Sequence, residues 1–246
     1  MTDLTPSVDL DVPRRVLAVG AHPDDVEFGC GATLAKWSAQ GCVVHLLVLT
    51  DGSKGTWDPG ADPAALAATR IAEQDDAARV LGATGVFRTE FVDGELTDAA
   101  AERAAVCAAI RTVRPDVLLT HDPWKRYRLH PDHRHAGWLT LDAAVAARDP
   151  HFFPAQGLDP HRPDLLLLFE AEVVDHYERF ASVDAKVDAL LAHRSQWRST
   201  MGIDDATPGA EAQRAAFVER IRAEAARFGS AVGGGLAEGF KRIDEV

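Results

Sequence analysis

Two short stretches of the chain hold residue types that do chemistry together. The first is AHPDD, residues 21–25, where His22, Asp24 and Asp25 fall within four positions directly after the apolar run RVLAVG. The second is HPDH, residues 130–133, with His130, Asp132 and His133. His22 and His133 offer imidazole nitrogens, and one aspartate of the first stretch offers an oxygen. Two imidazoles and a carboxylate make a three-ligand zinc site with a fourth position open to water. A second carboxylate beside the metal can take that water's proton, and a further histidine near the open position can stabilise an oxyanion. These are the minimum parts for metal-assisted amide hydrolysis. Each stretch alone also reads as acidic capping of a helix start; it is their joint occurrence that argues for chemistry.

The elements around the two stretches place them at one edge of a sheet. RVLAVG is strand-like, and a helix from about Val26 to Gln40 follows, closed by Gly41. CVVHLLVLT is the next strand, and DGSKGTWDPGADP is a loop by its Gly, Pro and Asp content. Helices over about 64–81 and 99–113 alternate with the strands GVFRTEF and DVLLTH. Pro131 suits the first position of a further helix, and His130 and His133, three apart, face one region. Further on, DLLLLFEAE is a buried strand, VVDHYERF a candidate strand, and 183–196 and 210–228 are helices. AEGFKRIDEV is either a last strand or a tail. Alternating strands and helices predict an α/β fold with a mainly parallel sheet covered on both faces. Such sheets bind ligands beyond the carboxyl ends of their strands. AHPDD, TDGSKGT, FVDGEL and the segment around HPDH all follow strand ends.

Composition narrows the function classes. With 246 residues and 46% hydrophobic content the chain can bury a sizeable core, and it is read as one domain over 1–246 with a loose N-terminal arm over 1–13. The net charge of −12 disfavours nucleic acid as a partner. Apolar stretches are strand-length, so no membrane span is expected. The N-terminus has no basic region followed by an apolar core, which predicts no secretory signal. Three cysteines without a CxxC pair fit a reducing cytoplasm rather than a disulfide framework. GCGATL lacks the third glycine of a dinucleotide loop and lies inside a helix.

The AHPDD and HPDH pair, in this order and at this separation, resembles the signature of the PIG-L/LmbE-like zinc-dependent de-N-acetylases, and the resemblance covers nearly the whole chain. TDGSKGT, TRIAEQDDAARVLG, VDGEL, HRSQW and AEGF look most like its diacetylchitobiose deacetylase branch. The resemblance implies a Rossmann-like, LmbE-type three-layer fold and removal of acetyl from an N-acetylglucosamine unit of a small glycoconjugate or oligosaccharide. It implies one zinc ion per chain on His22, Asp25 and His133, with Asp24 as general base. It further implies His130 as the oxyanion-stabilising histidine and Asp132 as its orienting partner. Val26 stands where many members carry Glu, and Glu27 follows. Arg70 resembles a family arginine that contacts substrate, and Asp93 a position that hydrogen-bonds sugar hydroxyls; a salt bridge at a helix end is the alternative for both. The branch implies a homo-oligomer, a hexamer. His121 lines the pocket or is structural, His135 points elsewhere on its helix, and His193 is a further pocket candidate. Trp57, Trp124 and Tyr127 lie on loops where a ring can stack on a sugar face or anchor its own loop. Rival readings are an amidase for a thiol-sugar conjugate or antibiotic precursor, a non-catalytic sugar or metal-binding module, and a two-metal phosphoesterase. Asp24 argues against the module, and the third would want more ligands than these stretches hold.

Overall fold

The computed structural model describes residues 6–244 and 246. The alternation read from the sequence becomes β2 (Arg15–Gly20), α1 (Asp25–Ala39), β3 (Val43–Thr50), α2 (Pro63–Val80), β4 (Gly85–Phe91), α3 (Ala100–Val113), β5 (Val117–His121) and α4 (Pro131–Arg148). It continues with β6 (Leu165–Phe169), β7 (His176–Phe180), α5 (Asp184–Ala192), α6 (Ala210–Ser230) and β8 (Leu236–Asp244), and a two-residue β1 (Ser7–Val8) precedes all of these. The strands form one sheet in the order β1-β7-β8-β6-β5-β2-β3-β4. Among the described residues β8 alone runs antiparallel to its neighbours, β6 and β7.

The strand sequences require this layering. In β2, Val16 and Ala18 pack into one apolar cluster while Leu17 and Val19 pack into another, and all four are fully buried. A strand covered on both faces must be apolar at every position. α3 and α4 cover one face through Ile110 and Leu139. α1, α2 and α5 cover the other through Leu34, Trp37, Leu81 and Ala189. Each fully buried side chain of this size contributes about 1.5–3 kcal/mol. α5 and α6 enclose a third cluster around Val187, Leu190, Phe217 and Ile221.

β2 lies between β3 and β5, so the chain leaves it toward opposite edges of the sheet. At such a switch point the loops diverge and open a crevice beyond the strand ends. His22 follows β2, His121 ends β5, and α4 starts with the HPDH stretch.

Two expectations change and one open alternative closes. Residues 1–5 of the expected loose arm lie outside the described residues, but from residue 7 the arm is tied down. Ser7 and Val8 pair in parallel with β7, and Asp9 accepts hydrogen bonds from the backbone and guanidinium of Arg179. Without β1, β7 would offer an open edge. The helix expected over 183–196 ends at Ala192; a 3₁₀ turn (Arg194–Gln196) and a π-helical turn (Trp197–Met201) follow. The C-terminal stretch is a strand inserted in the sheet rather than a tail; its Glu245 lies outside the described residues. No helix among the described residues is long and apolar enough to cross a membrane.

α1 is broken at Cys30 (φ −150°, ψ 18°). Beyond the break, the buried Glu238 of β8 accepts from the backbone N–H groups of Ala32 and Thr33. The second half of the helix therefore restarts with a carboxylate at its positive end. Lys186 of α5 closes the arrangement, donating to Glu238 Oε1 at 2.7 Å and to the Phe28 carbonyl at 2.6 Å.

Candidate metal centre and active site

The AHPDD stretch turns the chain from β2 into α1 through a strained residue. Asp24 sits at φ 95°, a left-handed conformation that costs a non-glycine residue energy and persists only where its surroundings hold it. The surroundings do so at several points. Gln74 accepts from the Asp24 N–H at 3.1 Å, and the Gln74 amide in turn donates to Glu27 at 2.6 Å. Arg70, almost wholly buried, donates to the carbonyls of Pro23 (2.5 Å) and Gly52 (2.9 Å). The turn sends the two neighbouring carboxylates to different tasks. Asp24 Oδ2 lies 3.6 Å from the Arg70 guanidinium and lines a cavity of 340 Å³. Asp25 faces imidazoles.

Asp25 Oδ2 lies 3.3 Å from His22 Nδ1 and 3.2 Å from His121 Nε2, and Oδ1 lies 3.3 Å from His133 Nε2. Three overlapping groups of donors converge here: His22 with His130 and His133, Asp25 with His121 and His133, and His22 with Asp93 and Asp132. Ligand atoms held tetrahedrally at zinc bond lengths stand about 3.4 Å apart. Asp25 stands at about that spacing from both His22 and His133, through Oδ2 to one and Oδ1 to the other, and the donor chemistry suits zinc, although these three residues together are not one of the three groups. His121, left open between pocket and structure by the sequence, is also within reach; its ring stacks on His133 at 4.4 Å.

Behind His22 the structure departs from expectation. The Nε2 of His22 is 3.1 Å from Asp132 Oδ2 and 3.1 Å from Asp93 Oδ1. Asp132 therefore orients His22 rather than His130, and it also accepts from the Gly94 N–H at 2.6 Å. A carboxylate behind an imidazole fixes the tautomer that leaves the other nitrogen free for a metal. Asp93 likewise reaches His22, and Arg70 donates to backbone carbonyls; both still line the cavity. His130 is exposed at its mouth, 4.6 Å from His22 and 4.9 Å from His133 between ring centroids.

Charge follows this geometry. Burial pushes the Asp24 carboxyl up to about 6, against the pull of Arg70 and His193. Asp25 is equally buried, yet His133 and His121 hold it well below the usual carboxylate range. Burial works against a charge on His22 too, but Asp132, Asp25 and Asp93 raise its pKa well above the ordinary imidazole value. Burial and the neighbouring His22 and His133 lower His130.

Other candidates separate clearly. His135 turns away toward the Leu96 carbonyl. His193 is fully buried, 3.7 Å from Glu27, and its two ring nitrogens have no hydrogen-bond partner. Trp124 packs against Trp138, Tyr127 is largely exposed, and Trp57 borders a neighbouring cavity. Gln74, Arg128 and Glu170 carried no signal in the sequence. Arg128 lies 2.8 Å from His133 Nδ1 and donates to Glu170 at 2.5 Å.

Residues 17–144, from β2 into α4, match the family model described as PIG-L, GlcNAc-PI de-N-acetylase. The chain belongs to the PIG-L family. Both stretches read from the sequence fall inside that match. Among PIG-L relatives, a diacetylchitobiose deacetylase of Thermococcus kodakarensis is 35% identical over 188 residues, covering 75% of this chain and 70% of the relative. A 1D-myo-inositol 2-acetamido-2-deoxy-alpha-D-glucopyranoside deacetylase of Mycolicibacterium vanbaalenii is 38% identical over 230 residues, covering 74% of this chain and 80% of the relative. The solved N,N'-diacetylchitobiose deacetylase of Pyrococcus horikoshii superposes with a TM-score of 0.84 at 28% identity, over 94% of this chain and 84% of that one. The PIG-L match thus spans the strands, loops and helix start that assemble the cluster.

Proposed function

We propose that this protein is a zinc-dependent deacetylase that hydrolyses the acetamide of an N-acetylglucosamine unit in a small glycoconjugate or oligosaccharide. The observation that carries the reading is the divergence of two adjacent buried carboxylates that line one cavity, Asp25 against three imidazoles and Asp24 against the Arg70 guanidinium. A binding module has no use for a second carboxylate held in a strained turn beside a metal position. The relatives named above act, by their names, on substrates that carry a 2-acetamido sugar. The cysteines Cys30, Cys42 and Cys107 are free and buried, which supports a reducing compartment, the cytoplasm.

In this reading His22 Nδ1, Asp25 and His133 Nε2 hold the ion. When bound, zinc supplies Lewis-acid polarisation of the acetyl carbonyl and lowers the pKa of water. Asp24, ionised, takes the proton of the attacking water and then carries it to the amine as the C–N bond breaks. His130, whose pKa is lowered by burial and by the neighbouring His22 and His133, donates an N–H to the carbonyl oxygen as that oxygen gains charge. Asp132 and Asp93 hold the His22 ring, and Arg70 and Gln74 hold the turn that aims Asp24.

The test is a substrate panel. Zinc-loaded protein is incubated with N-acetylglucosamine, its β-1,4-linked dimer, an N-acetylglucosaminyl inositol and plain acetamide, and free amine is measured. Amine release is expected from the sugars and not from acetamide. Silence on every sugar, or equal rates on acetamide, would sink the reading.

A further inference from the structure

The motif HRSQW takes no part in the chemistry above, yet Gln196 lines the cavity and His193 is wholly enclosed. The segment is pinned on two sides. Glu73 of α2 accepts from both the backbone and the hydroxyl of Ser195. The Gln196 amide donates to the Gly55 carbonyl at 3.1 Å. α5 ends at Ala192, and the ring of His193 lies against Glu27 of α1, with Nε2 3.7 Å from Oε2.

Both ring nitrogens of His193 and the Oε2 of Glu27 lack a hydrogen-bond partner, and both side chains are fully buried. Buried polar atoms left in this way call for a reason. Charge supplies one. Asp24 and Glu27 put two carboxylates into this enclosed region, and Arg70 and His193 put two bases beside them. Arg70 stands 3.6 Å from Asp24, and His193 stands 3.7 Å from Glu27. A buried charge persists where an opposite one balances it. Burial works against a charge on His193, but Glu27 and Asp24 raise its pKa above the ordinary imidazole value.

Glu27 in turn sets Gln74. An amide presents an oxygen on one side and an NH2 on the other. The Asp24 N–H can only donate, and a carboxylate can only accept. Together they allow one orientation of Gln74, with its oxygen 3.1 Å from the Asp24 nitrogen and its NH2 2.6 Å from Glu27 Oε1. A turned amide would leave the Asp24 N–H without the acceptor that helps hold φ at 95°. We infer that His193 is a positioning residue for Asp24. By balancing the buried Glu27 carboxylate it fixes the Gln74 amide, and through that amide the aim of Asp24. The inference rests on the deacetylase reading, in which Asp24 is the base.

The test uses zinc-loaded full-length protein and the β-1,4-linked N-acetylglucosamine dimer, in wild type, His193→Gln, Glu27→Gln and the double variant. Each variant should lower kcat on the order of tenfold to a hundredfold, as when a reacting group is misaimed, with KM and zinc content at wild-type values. The double variant should fall no further than either single one, because both act through Gln74. Leu190→Ala, just before His193 on α5 and part of the third apolar cluster, is the control for lost stability. It should keep kcat at an equal drop in thermal midpoint. Hydrogen exchange of the Asp24 N–H, followed by NMR, reads the link without turnover and should quicken in His193→Gln and Glu27→Gln. Exchange at the wild-type rate, or an unchanged kcat, overturns the inference. So does a loss of kcat that Leu190→Ala matches, or one that comes with lost zinc. If His193→Gln does not fold, Glu27→Gln carries the same prediction. If wild type turns over no sugar, the deacetylase reading fails by itself, and exchange at Asp24 still decides whether His193 holds the turn.

Discussion

Asp24 and Asp25 are chemically identical neighbours, and the left-handed backbone at Asp24 separates their roles. Asp24→Asn should retain metal while kcat falls on the order of a hundredfold or more, as when a general base is removed. Asp25→Asn should lose metal first and regain part of its activity at high zinc. Metal analysis by mass spectrometry beside the kinetics checks both, and the reverse pattern would exchange the assignments. With its carboxyl at about 6, Asp24 is a base only once ionised, so activity should rise with pH through an acid limb at or below 6; a cation on Asp25 lowers that limb further. The same shift sets the sign for stability: a raised carboxyl favours folding at low pH and loses that contribution as pH climbs through about 6. The metal-free Asp24→Asn variant should therefore melt higher than metal-free wild type at pH 7 and show little difference at pH 4. Asp132→Asn should weaken metal affinity by about 10–100-fold, because its partner His22 is a proposed ligand. Unchanged affinity with slower turnover would return Asp132 to His130. The spacing of His130 and Asp132 invites that pairing, but His130 is the extended residue before α4, and the Asp132 carboxylate is taken up by His22 and the Gly94 N–H. Arg70 was singled out by resemblance, but its bonds to the Pro23 and Gly52 carbonyls were not legible, since no side-chain pattern announces backbone targets.

At the scale of elements, the periodicity of α1 reads as one unbroken helix, and its interruption at Cys30 depends on residues more than 150 positions away. Glu238 and Lys186 bury opposite charges beside the restarted helix. Removing one partner of a buried pair leaves the other uncompensated, so Glu238→Ala should cost about 3–5 kcal/mol in urea unfolding. The double variant Glu238→Leu with Lys186→Met should cost much less, because it removes the stranded charge along with its partner. Equal losses in the two proteins would mean that the cost lies in the Ala32 and Thr33 N–H groups, which both variants leave without their acceptor, rather than in a stranded charge. The turn over 194–196 was also read as helix. That stretch follows a helical pattern, and what bends it is the need for Ser195 to reach Glu73 and for Gln196 to reach Gly55.

Across the whole molecule, the cluster draws on the ends of β2 and β5 and the start of α4, so a bound ion ties residue 22 to residue 133. An ion that binds only the folded state stabilises it by about 2.7 kcal/mol at a hundred times its Kd. For a chain of this size that raises the thermal midpoint by roughly 5–10 °C. Differential scanning fluorimetry with zinc, and then with chelator, should show the rise and its reversal, and His133→Ala should abolish it. The sequence by itself determined the alternation of strands and helices, the mainly parallel sheet, and the two stretches that meet at the strand ends. Those features are local: periodicity, turn residues and short spacings specify them without knowledge of what lies opposite. Only the tertiary structure decided that β8 enters the sheet antiparallel, that β1 ties down the arm, that Asp132 serves His22, and that His121 joins the cluster around Asp25. Each of these pairs groups about seventy or more residues apart. Such contacts are fixed by which faces and edges the packed layers leave open, a property of the assembled sheet that no local stretch of the chain carries.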